Sequence, residues 1–70
     1  MISYAPLWET MKRKDATTYT LQAKGGISSS TVRRLKAGDS VSTNTLDALC
    51  EILDCDLSDI VRYKKSQPTG

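Results

Sequence analysis

Histidine and phenylalanine are absent from this 70-residue chain, tryptophan occurs once and cysteine twice. Without histidine the chain lacks the side chain that most often exchanges protons near neutral pH, and no nucleophile stands in a pattern that pairs it with a base. Enzymatic chemistry, and with it a cofactor, is not expected. A chain this short sits near the lower size at which a hydrophobic core holds a fold unaided, which leaves little room for a deep cleft or a small-molecule pocket. No stretch approaches the roughly 20 apolar residues needed to span a bilayer, and no charged segment followed by an apolar one opens the sequence. A cytoplasmic location without membrane contact is the expectation.

Cys50 and Cys55 have no histidine and no second cysteine pair with which to complete a tetrahedral site, so no metal is expected. Cys50 falls on the apolar stripe Leu46, Leu49, Cys50, Leu53 and is expected to be a buried, reduced core thiol. Cys55 lies just past that stripe and is expected to be less buried, with an intermolecular disulfide as an accident of oxidising conditions.

Acidic residues are missing from the whole stretch between Asp15 and Asp39. The net charge of +2 therefore hides a division. Residues 1–38 carry seven basic and two acidic side chains, net +5, and residues 39–70 carry three basic and six acidic ones, net −3. A polyanion-binding face backed by a face of opposite sign fits this asymmetry, as would two solvated surfaces that merely differ.

The helix signals are local and specific. Pro6 suits a first helical turn, and Leu7, Trp8 and Met11 mark one apolar side of a helix ending near Lys14. Lys12, Arg13 and Lys14 in its last turn suit the helix dipole or a nearby phosphate equally well. Thr17 caps a second helix, about 17–24, with Leu21 as its core residue, and Gly25 and Gly26 are read as supplying the positive φ values that end it. Ser28 then caps a third helix, about 29–37, closed by Gly38, with Ile27 and Val32 in the positions of a hydrophobic staple. The device recurs with Ser42 as cap, Val41 and Leu46 as staple, and Leu46, Leu49, Cys50 and Leu53 at helical spacing. Asp56 is expected to cap a fifth, short helix containing Leu57, Ile60 and Val61. One domain over residues 1–63 and a flexible tail over 64–70 complete an all-α, five-helix reading with no β alternation to compete.

On the third helix Val32 and Leu35 define the inward side, and Ser30, Arg33, Arg34 and Ala37 point the other way, flanked by Ser29 and Thr31. That outer face is small and basic, whereas an ordinary solvated helix mixes signs. Small residues allow close approach to base edges, and arginine can bond bidentately to guanine or clamp a phosphate.

Tyr4-Ala5-Pro6-Leu7-Trp8, the span Leu21 to Leu35 with Gly26-Ile27-Ser28 and Ser30-Thr31-Val32, Gly38, and Thr45 to Leu53 followed by Asp59-Ile60 form an ordered set over some sixty residues. In that set the chain resembles the Cro/cI-type (XRE-like, lambda-repressor-like) helix-turn-helix regulators in their compact single-domain form. The resemblance implies a sequence-specific binder of double-stranded DNA that regulates transcription, as a repressor, and reads the major groove with its third helix. It implies base contacts from Ser29, Ser30 and Arg34, with Arg33 on the same exposed side. It further implies a phosphate anchor at Thr18 and backbone contacts from Ser42, Thr43 and Asn44. Lys24, Ser28, Thr31 and Lys36 flank these positions and are expected to reach the DNA backbone. Two positions depart from the family pattern: Gln22 stands where alanine is common, and Gly25 where a large apolar residue is common. Serine hydroxyls donate and accept indifferently, so discrimination is expected to rest on Arg33 and Arg34. A homodimer on DNA through the last helix (Leu57, Ile60, Val61, Tyr63) is one expectation for these residues, and closing the monomer's own core is the other. The alternative is a protein-interaction module, antitoxin-like or accessory, that uses the same fold and its acidic half.

Overall fold

A computed structural model describes residues 1–65. In chain order the elements are β1 (Ile2–Ser3), α1 (Ala5–Arg13), α2 (Thr18–Gly25), α3 (Ser29–Ala37), α4 (Thr43–Leu53), a 3-10 turn (Leu57–Asp59) and β2 (Arg62–Tyr63). Each of α2, α3 and α4 begins at a residue whose hydroxyl satisfies a free backbone N–H. The Thr17 hydroxyl accepts from the Thr20 N–H at 3.3 Å while the Thr20 hydroxyl accepts from the Thr17 N–H at 3.2 Å, a reciprocal capping box. Ser28 accepts from the Thr31 N–H, and Ser42 from the Thr45 N–H, both at 3.2 Å. Ile27 and Val32 are both buried, and Val41 and Leu46 both half-buried, as the two staples require.

The core consists of Tyr4, Leu7, Met11, Leu21, Ile27, Val32, Leu35, Leu49, Leu53 and Ile60. Trp8, Cys50 and Cys55 pack against it only half-buried, so Cys50 is less enclosed than its place on the apolar stripe predicts. The stripe is wide enough that Leu49 and Leu53 take its centre, which leaves Leu46 and Cys50 at its margin.

Only one of the two glycines after α2 takes a left-handed conformation. Gly26 has φ +65° and closes the helix, while Gly25 is its last helical residue. Gly25 answers to packing instead: a Cβ there would overlap the Ile52 side chain of α4. Its smallness brings the end of α2 against α4, which is why a large apolar residue is missing at this position. Gln22 is exposed, so no polar group is buried where alanine was expected.

Four α-helices are present among the described residues, not five. The Asp56 signal does start a turn, with the Asp59 carboxylate accepting from the Asp56 N–H at 3.2 Å. The helix stops after one 3-10 turn because the next residues have better partners elsewhere. Ile60 is β-branched and fully buried, and Arg62 and Tyr63 pair antiparallel with Ser3 and Ile2. The ladder continues past that pair, since the Lys64 N–H donates to the Met1 carbonyl at 2.7 Å and the Met1 ammonium donates to the Lys64 carbonyl at 2.6 Å. Order thus reaches into the expected tail, of which residues 66–70 lie outside the described residues. The C-terminal helix expected to join two copies does not exist: Ile60 closes the core and Val61 is half-buried, while Leu57 and Tyr63 stay exposed.

Two side chains outside the helix pattern tie distant parts together. The Tyr4 hydroxyl donates to the Asp39 carbonyl at 2.7 Å, and the Thr10 hydroxyl, buried, donates to the Asp59 carbonyl at 2.7 Å. Thr10→Val keeps the shape and removes the donor, and should lower the unfolding free energy in urea by about 1–3 kcal/mol.

Candidate nucleic-acid interface

Burial of Val32 and Leu35 leaves Ser29, Ser30, Arg33, Arg34 and Lys36 of α3 exposed, with Thr31 half-buried. No acidic residue occurs on this helix or on α2. The ion pair among the described residues joins Arg13 Nη2 to Asp59 Oδ1 at 3.8 Å, so Arg33 and Arg34 have no carboxylate partner there. Their guanidinium groups are open to an external anion.

Local hydrogen bonding divides the serine run. The Ser28 hydroxyl accepts from the Thr31 N–H and also hydrogen-bonds to the hydroxyls of Thr31 at 2.8 Å and Ser30 at 3.2 Å. Ser28, Ser30 and Thr31 therefore share one network at the start of α3, while Ser29 stands outside it. The network keeps part of each hydroxyl's bonding capacity inside the protein and holds the first turn of α3 in shape.

Lys24, exposed in the last turn of α2, lies at the turn that leads to Ser28. Thr18 is half-buried in the first turn of α2, about 9 Å away along the helix axis from Lys24 at 1.5 Å per residue. Ser42 repeats the role of Ser28: its hydroxyl accepts from the Thr45 N–H and hydrogen-bonds to the Thr45 hydroxyl at 3.2 Å, leaving Thr43 and Asn44 exposed beside the free N–H groups of α4. The basic end of α1 is committed elsewhere. Arg13 faces Asp59, and Lys14 Nζ donates to the Asp54 carbonyl at 3.4 Å, so these charges turn toward the acidic side of the molecule.

One residue of this surface escaped the sequence pattern. Tyr19 follows Thr18 in the first turn of α2 and is 76% exposed. The available signal was an aromatic with no large apolar residue three or four positions away, only Ala16 and Ala23 beside Asp15 and Gln22. An aromatic without a core position on this helix is a surface feature.

The fold agrees with two comparisons with known proteins. The family described as the Cro/C1-type HTH DNA-binding domain matches residues 6–66. Among solved structures the chain is similar to the crystal structure of the transcriptional regulator VanUg, with a TM-score of 0.81 and 36% sequence identity over 87% of this chain and 81% of that one. No curated protein matches the chain. Among the described residues, no helix is long and apolar enough to cross a membrane.

The cap at Ser28 carries a stability cost that can be separated from any role in binding. Ser28→Ala should destabilise the fold by about 1 kcal/mol in urea unfolding, and Ser28→Gly by only a few tenths, because glycine suits the N-cap backbone even without an acceptor.

Proposed function

Because the chain belongs to the Cro/C1-type helix-turn-helix DNA-binding family, we propose that it is a transcriptional regulator, acting as a repressor, that lays α3 in the major groove of DNA. The observation that carries this reading is the outer face of α3. Its first turn is built of hydroxyl residues small enough for close approach, and it is followed by Arg33 and Arg34 with no carboxylate partner among the described residues. Arg34 and Arg33 supply base discrimination, since a guanidinium can bond guanine O6 and N7 together. Ser29 and Ser30 let the helix approach, and of the two Ser29 has the freer hydroxyl.

Phosphate contacts hold the helix in register. Lys24 and Lys36 supply charge, and Thr18, Ser28, Thr31, Ser42, Thr43 and Asn44 offer hydroxyls, an amide and three helix starts. Tyr19, beside Thr18, adds a phenol at the same end of α2. A domain seated in this way covers the groove against other proteins, which is the physical basis of the repressor reading. On a palindromic site two copies would occupy half-sites about one helical turn apart. Of the residues expected to join them, Leu57 and Tyr63 remain available at the surface.

Arg34→Ala should cost about 1–3 kcal/mol of binding free energy and relax preference at one base pair, whereas Lys24→Ala should weaken all duplexes alike. Selection from a random duplex library, followed by anisotropy titrations, reads both effects. Unchanged affinity of the Arg33→Ala/Arg34→Ala double variant for every duplex would remove α3 from the interface. Between about 50 and 200 mM salt, affinity should fall on the order of 10³-fold if some six phosphates are contacted. A shallow salt response, with binding carried by the acidic α4 surface, would instead favour the protein-interaction reading.

A further inference from the structure

We propose that Cys50 and Cys55 form an oxidisable dithiol site that closes an intramolecular disulfide across the C-terminal end of α4. The geometry follows from how that helix ends. Asp54 takes a left-handed conformation, φ 51°, just past the helix, and the Cys55 N–H then donates to the Cys50 carbonyl at 3.0 Å. This is the six-to-one hydrogen bond of a Schellman cap, and it brings the residue before the last turn and the residue after the cap side by side, a place usually filled by an apolar contact. A backbone bond of this kind folds the chain back on itself and brings the two Cα atoms close together, as a disulfide requires with its Cα–Cα span of about 4.4–6.8 Å. The contact here is made by the two cysteines of the chain, both half-buried and both packed against the core, and each lies near enough to shift the other's proton equilibrium.

A low-molecular-weight disulfide such as glutathione disulfide is a sufficient oxidant. One cysteine thiolate attacks a glutathione sulfur, the S–S bond breaks, and one glutathione leaves as thiolate. The second cysteine, as thiolate, then attacks the first cysteine's sulfur and expels the second glutathione, so that two protein thiols become one disulfide and one glutathione disulfide becomes two thiols. Burial pushes both thiols above their ordinary value, and the carboxylate of Asp59 acts on both in the same direction, joined by Asp47 and Asp56 at Cys50, while Lys14 opposes the shift at Cys55. The thiolate fraction at neutral pH is correspondingly small, so the exchange is slow near pH 7 and quickens as pH rises. The pair is set by proximity rather than by acidity.

The test uses the whole chain, reduced and then incubated with glutathione disulfide near pH 9. Intact mass should fall by about 2 Da with both thiols lost and no crosslinked dimer on a non-reducing gel, while Cys55→Ser should gain a glutathione of about 305 Da instead. The oxidised chain should melt about 5–10 °C above the reduced one, since the bond closes a short loop in a small domain. Glutathione adducts or disulfide-linked dimers in the unsubstituted chain, two thiols that stay free, or an oxidised form that melts no higher than the reduced form would each overturn the proposal.

Discussion

Burying Val32 and Leu35 is the constraint on which the outer surface of α3 depends. In a helix each residue turns about 100° from the last, so fixing two inward side chains fixes the direction of all the others. The start of the helix decides which two are inward, and that start is held three ways. Gly26 turns the chain with a left-handed backbone, Ile27 anchors it in the core opposite Val32, and Ser28 accepts from the Thr31 N–H. A start displaced by one residue would rotate Arg33 and Arg34 by about 100° and bring a polar side chain inward. The charged face of α3 thus depends on a turn that itself carries no charge.

Helices of eight to eleven residues are marginal alone, so their permanence comes from what they pack against. In so small a domain long-range polar links add to what the core supplies. Tyr4 joins the start of α1 to the carbonyl just after α3, Thr10 joins the middle of α1 to the 3-10 turn, and Met1 and Lys64 bond across the two ends of the described chain. The first of these bears on how α3 is held, since Asp39 follows the residue that closes that helix. The short ribbon of β1 and β2 completes the set and gives the chain ends backbone partners in place of water.

What could be read from residue order alone was the backbone structure decided within four or five residues. Thr17, Ser28 and Ser42 announced three helix starts because a cap needs only its own hydroxyl and the N–H three residues on. The same local logic failed after Asp56. A turn does begin there, but Ile60 answers to the core, and Arg62 and Tyr63 to a strand sixty residues away in sequence. Gly25 departs from glycine's usual role in turns for a related reason: it is small because of Ile52, a neighbour on another helix that nearby residues do not reveal. The outward direction of Arg33 and Arg34 was legible because helix geometry and two apolar residues settle it. The hydroxyl network that separates Ser29 from Ser30 was not, since side-chain rotamers leave no mark on sequence.

The distribution of positive charge has a similar origin in pairing. Seven basic residues in the first half of the chain would spread their field widely if all were free. Arg13 and Lys14 instead face Asp59 and the Asp54 carbonyl, so their attraction is spent on the acidic side, weakly for such exposed groups but in a consistent direction. Apart from Lys12 on α1, the charge of that half left uncompensated lies on α3 and the end of α2. A compact field of that kind draws a polyanion from a distance of about a Debye length, roughly 8–10 Å at physiological salt, and orients it before contact. At contact the roles divide, because Ser28, Ser30 and Thr31 already satisfy one another in part. Guanidinium groups have no such internal partner, and a rigid five-donor fork distinguishes base edges in a way a rotating hydroxyl cannot. On the proposed reading, the serines govern how near α3 comes to DNA and the arginines govern what it recognises there.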